Sequence, residues 1–252
     1  MGCDMGCGSD CNTEHLEDDK KFQNLRIWEN KGISRGELSR KLKEQEHAEV
    51  RVYTVATTRL VKDSIKHIGS GPNLEGGLVT LCTCKHSMRQ YHTTDEWEGK
   101  WILGLTSRAK TNGFSGSHYL FYMMKVAKSF ESHAELYKYM EEKNLDALRL
   151  KNAVKNRLGD IFEPDYHCGN PLDPSCYKQP HRNHSHGING APDWHDDIIY
   201  NGKSVPLLLG DEVNTFVWTK PTIIFDKPRN NGNMKLTLGD LCSSELAFLR
   251  PV

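Results

Sequence analysis

The segment from residue 160 to residue 199 concentrates side chains that could carry acid–base or metal chemistry. It holds five histidines, seven acidic residues and two cysteines, but only two lysines or arginines. An imidazole titrates near neutral pH, and a neighbouring carboxylate can fix its tautomer and its orientation. This composition predicts either a general base with its orienting carboxylate or a site for a divalent metal ion. The alternative interpretation is a polar surface loop whose histidines are only solvated.

Five residues of this segment are the candidate catalytic groups. They are His181, His184, His186, Asp193 and Asp197. His184 and His186 are two residues apart, so an extended chain would place both on one face. One of them would be the general base, and Asp193 or Asp197 would orient it. The motifs of zincins and zinc deaminases are absent from the sequence, so a divalent metal is a candidate cofactor without a defined ligand set.

Three short apolar runs predict the strands that would position these groups. They cover residues 78–84, 100–105 and 119–126 and are rich in aromatic and branched side chains. Further strands are predicted at 205–209, 215–218 and 222–225. Cys82 and Cys84 alternate with their neighbours, so both would point to one face of the first strand.

Helix starts are predicted at capping side chains, three of which precede an acidic residue by three positions. Ser34 begins a helix to about residue 47, Ser132 a helix to about 142, Asn144 a helix that ends before 159, and Thr237 a helix to about 250. Strands outnumber helices and do not alternate with them, which is typical of an α+β fold. We therefore expect a mixed or barrel-like curved sheet with flanking helices.

Composition and charge divide the chain and limit its functions. We predict a flexible Cys/Gly-rich head at 1–19, a basic helical segment at 20–74, and a domain at 75–252 that contains the loop 160–199. Lysine and arginine total 33 against 33 acids, so nucleic-acid binding would have to be local. No apolar run approaches the ~20 residues of a membrane span, and no export signal is recognisable. We expect a cytoplasmic protein with free thiols, no membrane contact and an undefined oligomeric state.

The order of the motifs resembles the second nucleotide modification associated domain family. The motifs are LVTLCTCKHSMR (78–89), GKWILGL (99–105), YLFYMMKV with SFESHAEL (119–136), GDIFEPD (159–165), YKQPHRNHSHG (177–187) and SVPLLLG (204–210). The match covers roughly residues 75–225. It departs from the family pattern where Glu98-Gly99-Lys100 replaces a Gly-Asp pair and where His86 replaces a proline. The resemblance implies phage or bacterial systems, including defence, that make or recognise modified nucleotides, and a fold like the PUA, ASCH and YTH group.

Three functions remain open at this stage. The first is a domain that binds a nucleotide or nucleic acid with a modified base. Its candidate binding residues are Cys84, Lys85, Arg89, Trp101, Tyr122 and Asp160. Lys85 and Arg89 would hold phosphate, and two of the aromatic rings would stack on a base. The second is an enzyme that modifies a nucleotide with the catalytic groups of the loop. The third is a partner-binding protein in which the His/Cys loop forms a structural zinc clasp.

Overall fold

The computed structural model describes residues 30–67, 69, 71–152, 161–179, 194–226, 234–242 and 249–252. The chain forms two compact units that are interleaved in sequence. The first unit contains residues 1–68, 99–125 and 213–252, and the second contains residues 69–98 and 126–212. The predicted division at residues 19 and 74 stays a prediction.

The first unit is built on a mixed sheet. Its strands are β1 (Glu49–Val55), β2 (Thr58–Val61), β3 (Ser64–His67), β5 (Trp101–Thr106), β10 (Ile223–Phe225), β11 (Met234–Thr237), β12 (Leu249–Pro251) and the first part of β6 (His118–Phe130). The order in the sheet is β11-β1-β5-β6-β10-β12, while β2 and β3 form a separate hairpin. Strands β1 and β5 are parallel, and the other neighbours in this order are antiparallel. The helices of this unit are α1 (Arg35–Lys43) and α6 (Leu238–Cys242).

The second unit carries the remaining helices and short strands. Its strands are β4 (Thr80–Leu81), β7 (Ile199–Tyr200), β8 (Lys203–Ser204) and the first part of β9 (Leu207–Val217). Its α-helices are α2 (His86–Arg89), α3 (Thr94–Trp97), α4 (His133–Lys143) and α5 (Leu145–Lys151). Two 3₁₀ helices, Pro174–Cys176 and Trp194–Asp197, precede and follow residues 180–193, which are not described. Strand β4 pairs antiparallel with β9, and β7 pairs antiparallel with β8.

The predicted fold class is confirmed, because the structure is α+β with a curved, mixed sheet. The caps that define the helix starts are also confirmed. The Ser34 hydroxyl accepts the Glu37 N–H at 3.2 Å, and the Ser132 hydroxyl accepts the Glu135 N–H at 3.3 Å. The Asn144 side chain accepts from the next helix in the same way. Each cap satisfies a backbone N–H that the first helical turn leaves without a partner.

Three predicted elements end earlier than expected, the first being the helix after Ser34, which ends at Lys43 rather than near residue 47. The strand over 78–84 is limited to Thr80–Leu81, because the backbone turns into the left-handed region at Cys84. The prediction that Cys82 and Cys84 share one face of a strand is therefore wrong. The helix that begins after Thr237 does not continue to residue 250, since Leu249–Pro251 pairs as strand β12 with β10.

The prediction that all thiols are free is wrong for one pair. Cys168 and Cys176 form a disulfide with Cα atoms 5.3 Å apart. A structural zinc clasp would have needed these two cysteines as thiolates. Cys82 and Cys84 are free thiols. Within the described ranges, no helix has the length and hydrophobicity that crossing a bilayer requires.

Candidate functional site

A strained loop links strand β4 to helix α2 in the second unit. We call residues 84–86 of this connection the 84–86 loop. Cys84 has φ 62° and Lys85 has φ 55°, so two successive non-glycine residues are left-handed. This conformation costs roughly 1–2 kcal/mol for each residue with a side chain. Other contacts must therefore hold the loop in place.

Asp197 holds one side of the 84–86 loop. Its side chain is fully buried, and its Oδ1 accepts the Cys84 N–H at 3.0 Å. The same oxygen lies 2.5 Å from Nε2 of His86. An ionised carboxylate only accepts hydrogen bonds, so we assign the proton to Nε2. In the neutral imidazole, Nδ1 is then an acceptor and a potential base. We call these two residues the His86–Asp197 pair.

Arg89 holds the other side of the loop. Its Nε donates to the Cys84 carbonyl at 3.0 Å, and a terminal guanidinium nitrogen donates to the Pro206 carbonyl at 2.7 Å. The residue is fully buried. Asp197 and Arg89 thus fix the two polar backbone groups of Cys84, and both use charged side chains.

The prediction that Arg89 binds phosphate is therefore corrected. Its guanidinium is buried and donates hydrogen bonds to backbone carbonyls. These hydrogen bonds offset the free-energy cost of burying the carbonyls away from water. Lys85, the other predicted phosphate ligand, lies in the 84–86 loop and is half-buried.

The β7–β8 hairpin and helix α2 form the support behind the loop. Gln90 donates from its side-chain amide to the Tyr200 carbonyl at 2.9 Å and to the Ser204 carbonyl at 3.1 Å. The Tyr200 ring lies against the His86 ring, with centroids 4.9 Å apart and planes at 31°. The His86 side chain retains 12% of its surface exposed. The imidazole is therefore held by a carboxylate and an aromatic ring, yet it keeps some access to solvent.

A small hydrophobic cluster positions Asp197. The 3₁₀ helix Trp194–Asp197 packs through Trp194 against Phe162, with ring centroids 5.3 Å apart. Phe162 in turn stacks on His133 at 4.1 Å and donates its N–H to Nδ1 of that histidine. Tyr177 completes the cluster, and burial raises the pKa of its phenol. Apolar packing thus anchors the segment whose last residue carries the buried carboxylate.

The two aromatic residues predicted to stack on a base lie in the core of the first unit. Trp101 and Tyr122 are both fully buried. Every residue of β5 is buried, so the strand has no solvent face from which Trp101 could reach a ligand. The Tyr122 hydroxyl bonds to the Tyr53 hydroxyl at 2.8 Å, and its ring packs over Gly104, where a Cβ would lie 2.1 Å away. Both rings are core residues, which corrects the prediction of a stacking wall.

Several predicted residues fall outside the part of the chain that the structure describes. They are His181, His184, His186, Asp193 and Asp160. Their predicted roles stay predictions. Among the described residues, no group of three or more His, Cys, Asp and Glu side chains is arranged to hold a metal ion.

The structure gives Asp197 a histidine partner that the sequence did not identify. Asp197 was predicted to orient His184 or His186, but within the described residues its partner is His86, 111 positions earlier. The available signal was His86 itself, a polar side chain directly after Lys85 in the run LVTLCTCKHSMR.

The comparisons with known proteins do not identify the chain. No protein-family model matches it, and neither a curated protein nor a solved structure does. The geometry of the 84–86 loop is therefore what indicates a function.

Proposed function

We propose that this protein binds a nucleotide with a modified base, free or within a nucleic acid, through the 84–86 loop and the His86–Asp197 pair. The observation that carries the proposal is the buried Asp197 carboxylate, which accepts hydrogen bonds from the Cys84 N–H and from Nε2 of His86. The site therefore combines a strained backbone with an oriented, partly exposed imidazole.

The strain supports a functional role for this loop. Outside hairpin turns, where Lys62 and Asp63 also adopt it, the left-handed conformation of two successive non-glycine residues is over-determined by the surroundings and is frequent at binding and catalytic sites. Here two buried charges hold the backbone of Cys84, while Asp197 also fixes the ring of His86. A rigid scaffold of this kind positions polar groups before a ligand arrives, which lowers the entropic cost of binding.

The chemistry of the loop suits a nucleotide. The exposed part of the His86 imidazole can contact a base edge, and a nearby lysine can contact phosphate. Lys85 is that lysine. The loop lies within the run LVTLCTCKHSMR, which resembles the nucleotide modification associated domain family and supports the same ligand class.

The His86–Asp197 pair favours a second candidate function, a nucleotide-modifying enzyme. A histidine oriented by a carboxylate is a common general base, because the carboxylate fixes the tautomer and stabilises the imidazolium that forms. In this candidate, His86 replaces His184 and His186 as the base that Asp197 orients.

Binding can be tested with modified and unmodified nucleoside monophosphates and short oligonucleotides by isothermal titration calorimetry. We expect His86→Ala to weaken binding of the preferred ligand by tenfold or more, a loss of about 1.4 kcal/mol. The matched control is His92→Ala. His92 is 14% exposed and lies 3.9 Å from the Glu96 carboxylate, so it resembles His86 in exposure and partner. Equal affinities of the two alanine variants, both folded by circular dichroism, would contradict the proposal.

Nucleoside mass spectrometry separates the two candidates. DNA, RNA and the nucleotide pool are digested from cells that express either the wild type or His86→Ala. A new mass that depends on His86 would support the enzyme, and its difference from the parent nucleoside would define the chemistry. Unchanged masses in all three fractions, together with retained binding, would support the binding domain.

A further inference from the structure

The β2–β3 hairpin of the first unit carries a concentrated basic surface together with the loop 107–113. Its cations are Arg59, Lys62, Lys66, Arg108 and Lys110. We call these five side chains the basic hairpin surface. Lys62, Arg108 and Lys110 are exposed, and Arg59 and Lys66 are half-buried. Asp63 is the only acidic residue in the two segments. The whole chain is electrically neutral, so this is a local concentration of charge.

The register of the hairpin puts two cations directly opposite each other. Arg59 pairs with Lys66, whereas Thr58 pairs with His67 and Leu60 with Ile65. Since side chains alternate along a strand, Arg59 and Lys66 share one face. Thr58, Ile65 and His67 are buried on the opposite face. Like charges in directly opposed positions destabilise a strand pair, so the folded unit gains nothing from this arrangement.

The loop 107–113 is fixed beside the hairpin. The Ser107 N–H donates to the Thr58 hydroxyl at 2.7 Å, and the Arg59 guanidinium donates to the Asn112 side chain. Gly113 has φ 83° and approaches the Leu60 carbonyl so closely that a Cβ would lie 2.8 Å from it. These contacts hold the exposed cations of the loop next to those of the hairpin.

None of the five cations forms an ion pair with a carboxylate among the described residues. An unneutralised cluster attracts a polyanion, and binding releases the counterions of that polyanion. A strand of four residues extends about 13 Å, which spans roughly three to four phosphates at ~3.4 Å each along one strand of a duplex. The size of the surface therefore fits several successive phosphates.

We infer that the basic hairpin surface binds the phosphate backbone of a nucleic acid, so that the ligand of this protein is a polynucleotide rather than a free nucleotide. The choice of nucleic acid as the polyanion rests on the proposed function. The surface itself contacts phosphate and carries no base specificity.

The test is the salt dependence of binding to a labelled 20-nucleotide single-stranded DNA, the same sequence as RNA, and its DNA duplex, measured by fluorescence anisotropy. With one phosphate contact for each of its five cations, the basic hairpin surface contributes roughly −3.5 to the slope of log K against log salt for a single strand and −4.5 for a duplex. The triple variant Lys62→Gln, Lys66→Gln, Lys110→Gln should flatten the slope by roughly 2 to 3 and weaken binding at least tenfold at 0.1 M salt. The control triple, Lys138→Gln, Lys143→Gln, Arg149→Gln, removes three exposed cations from helices α4 and α5 of the second unit and should behave as wild type.

Three results would overturn the inference. They are no binding of the wild type to any of the three probes, an unchanged slope in the hairpin variant, and an equal loss in the control variant. The inference would also be overturned if the protein bound vesicles that contain phosphatidylserine but bound none of the three nucleic-acid probes. His86→Ala should keep the wild-type salt slope, because it removes no phosphate contact of this surface. A failure of the proposed function at His86 is thereby distinguishable from a failure at the hairpin.

Discussion

Replacement of Asp197 by alanine should destabilise the second unit strongly. The substitution removes two hydrogen bonds to a buried carboxylate, one from the Cys84 N–H at 3.0 Å and one from His86 at 2.5 Å. Each charged hydrogen bond contributes about 1.5–3 kcal/mol, so the expected loss is about 3–6 kcal/mol. The strain of the 84–86 loop is present in the wild type as well, so it does not add to this loss, and relaxation of the loop in the variant would favour the lower end of the range.

Two further variants make the expectation specific to the carboxylate. Asp197→Asn keeps an oxygen that can accept the Cys84 N–H but loses the charge. We therefore expect about half the loss of stability that Asp197→Ala causes. Asp196→Ala removes the exposed neighbour on the same 3₁₀ helix and should change stability by no more than about 0.5 kcal/mol.

Urea unfolding followed by circular dichroism measures these differences. With m of about 2 kcal/mol/M, the alanine variant should unfold at a urea concentration lower by roughly 1.5–3 M. If Asp197→Ala does not fold, Asp197→Asn still provides the measurement. An Asp197→Ala midpoint within about 0.3 M of the Asp196→Ala midpoint would refute the reasoning.

Three other perturbations test the packing and the buried groups. Gly104→Ala places a Cβ 2.1 Å from the buried Tyr122 ring and should lower the free energy of unfolding by about 1–3 kcal/mol. Gly36→Ala in helix α1, where no atom from elsewhere in the chain lies within 4 Å of the added Cβ, should raise the free energy of unfolding by about 0.5–1 kcal/mol. A thermal denaturation in which Gly104→Ala is more stable than Gly36→Ala would contradict both. Lys151→Met removes a buried ammonium that donates to two backbone carbonyls at 3.0 and 2.7 Å. The free energy of unfolding in urea should fall by about 3 kcal/mol or more. A midpoint equal to that of the wild type would contradict this prediction. Burial raises the pKa of Tyr177 from its ordinary value of 10.0, so the stability it contributes is present below that pH and is lost as the pH rises above it. The pKa values of Tyr137 and Tyr166 are also raised, so absorbance titration at 295 nm should show several late phenolates, of which Tyr177→Phe removes one.

The sequence determined the elements whose causes lie within a few residues. The starts of α1, α4 and α5 were predictable because a capping side chain and the backbone N–H that donates to it are three residues apart. Strand β5 was predictable because its residues form one apolar run between polar ones. The α+β class followed from the order of these elements.

Only the tertiary structure decided which residues form the candidate site. Asp197 contacts Cys84 and His86 across 113 and 111 positions, a distance that no local pattern encodes. The left-handed backbone at Cys84 was likewise not predictable, since its side chain disfavours that conformation and one of the buried charges that stabilise it, Asp197, lies 113 positions away.

The same reason separates core from site among the aromatic residues. Aromatic side chains at strand spacing fit both a buried core and an exposed stacking wall, and the choice depends on whether another layer covers the strand. Trp101 and Tyr122 are covered. The sequence thus determined local structure through short-range hydrogen bonds and hydrophobic pattern, whereas burial and long-range pairing, which depend on the whole folded chain, decided where chemistry can occur.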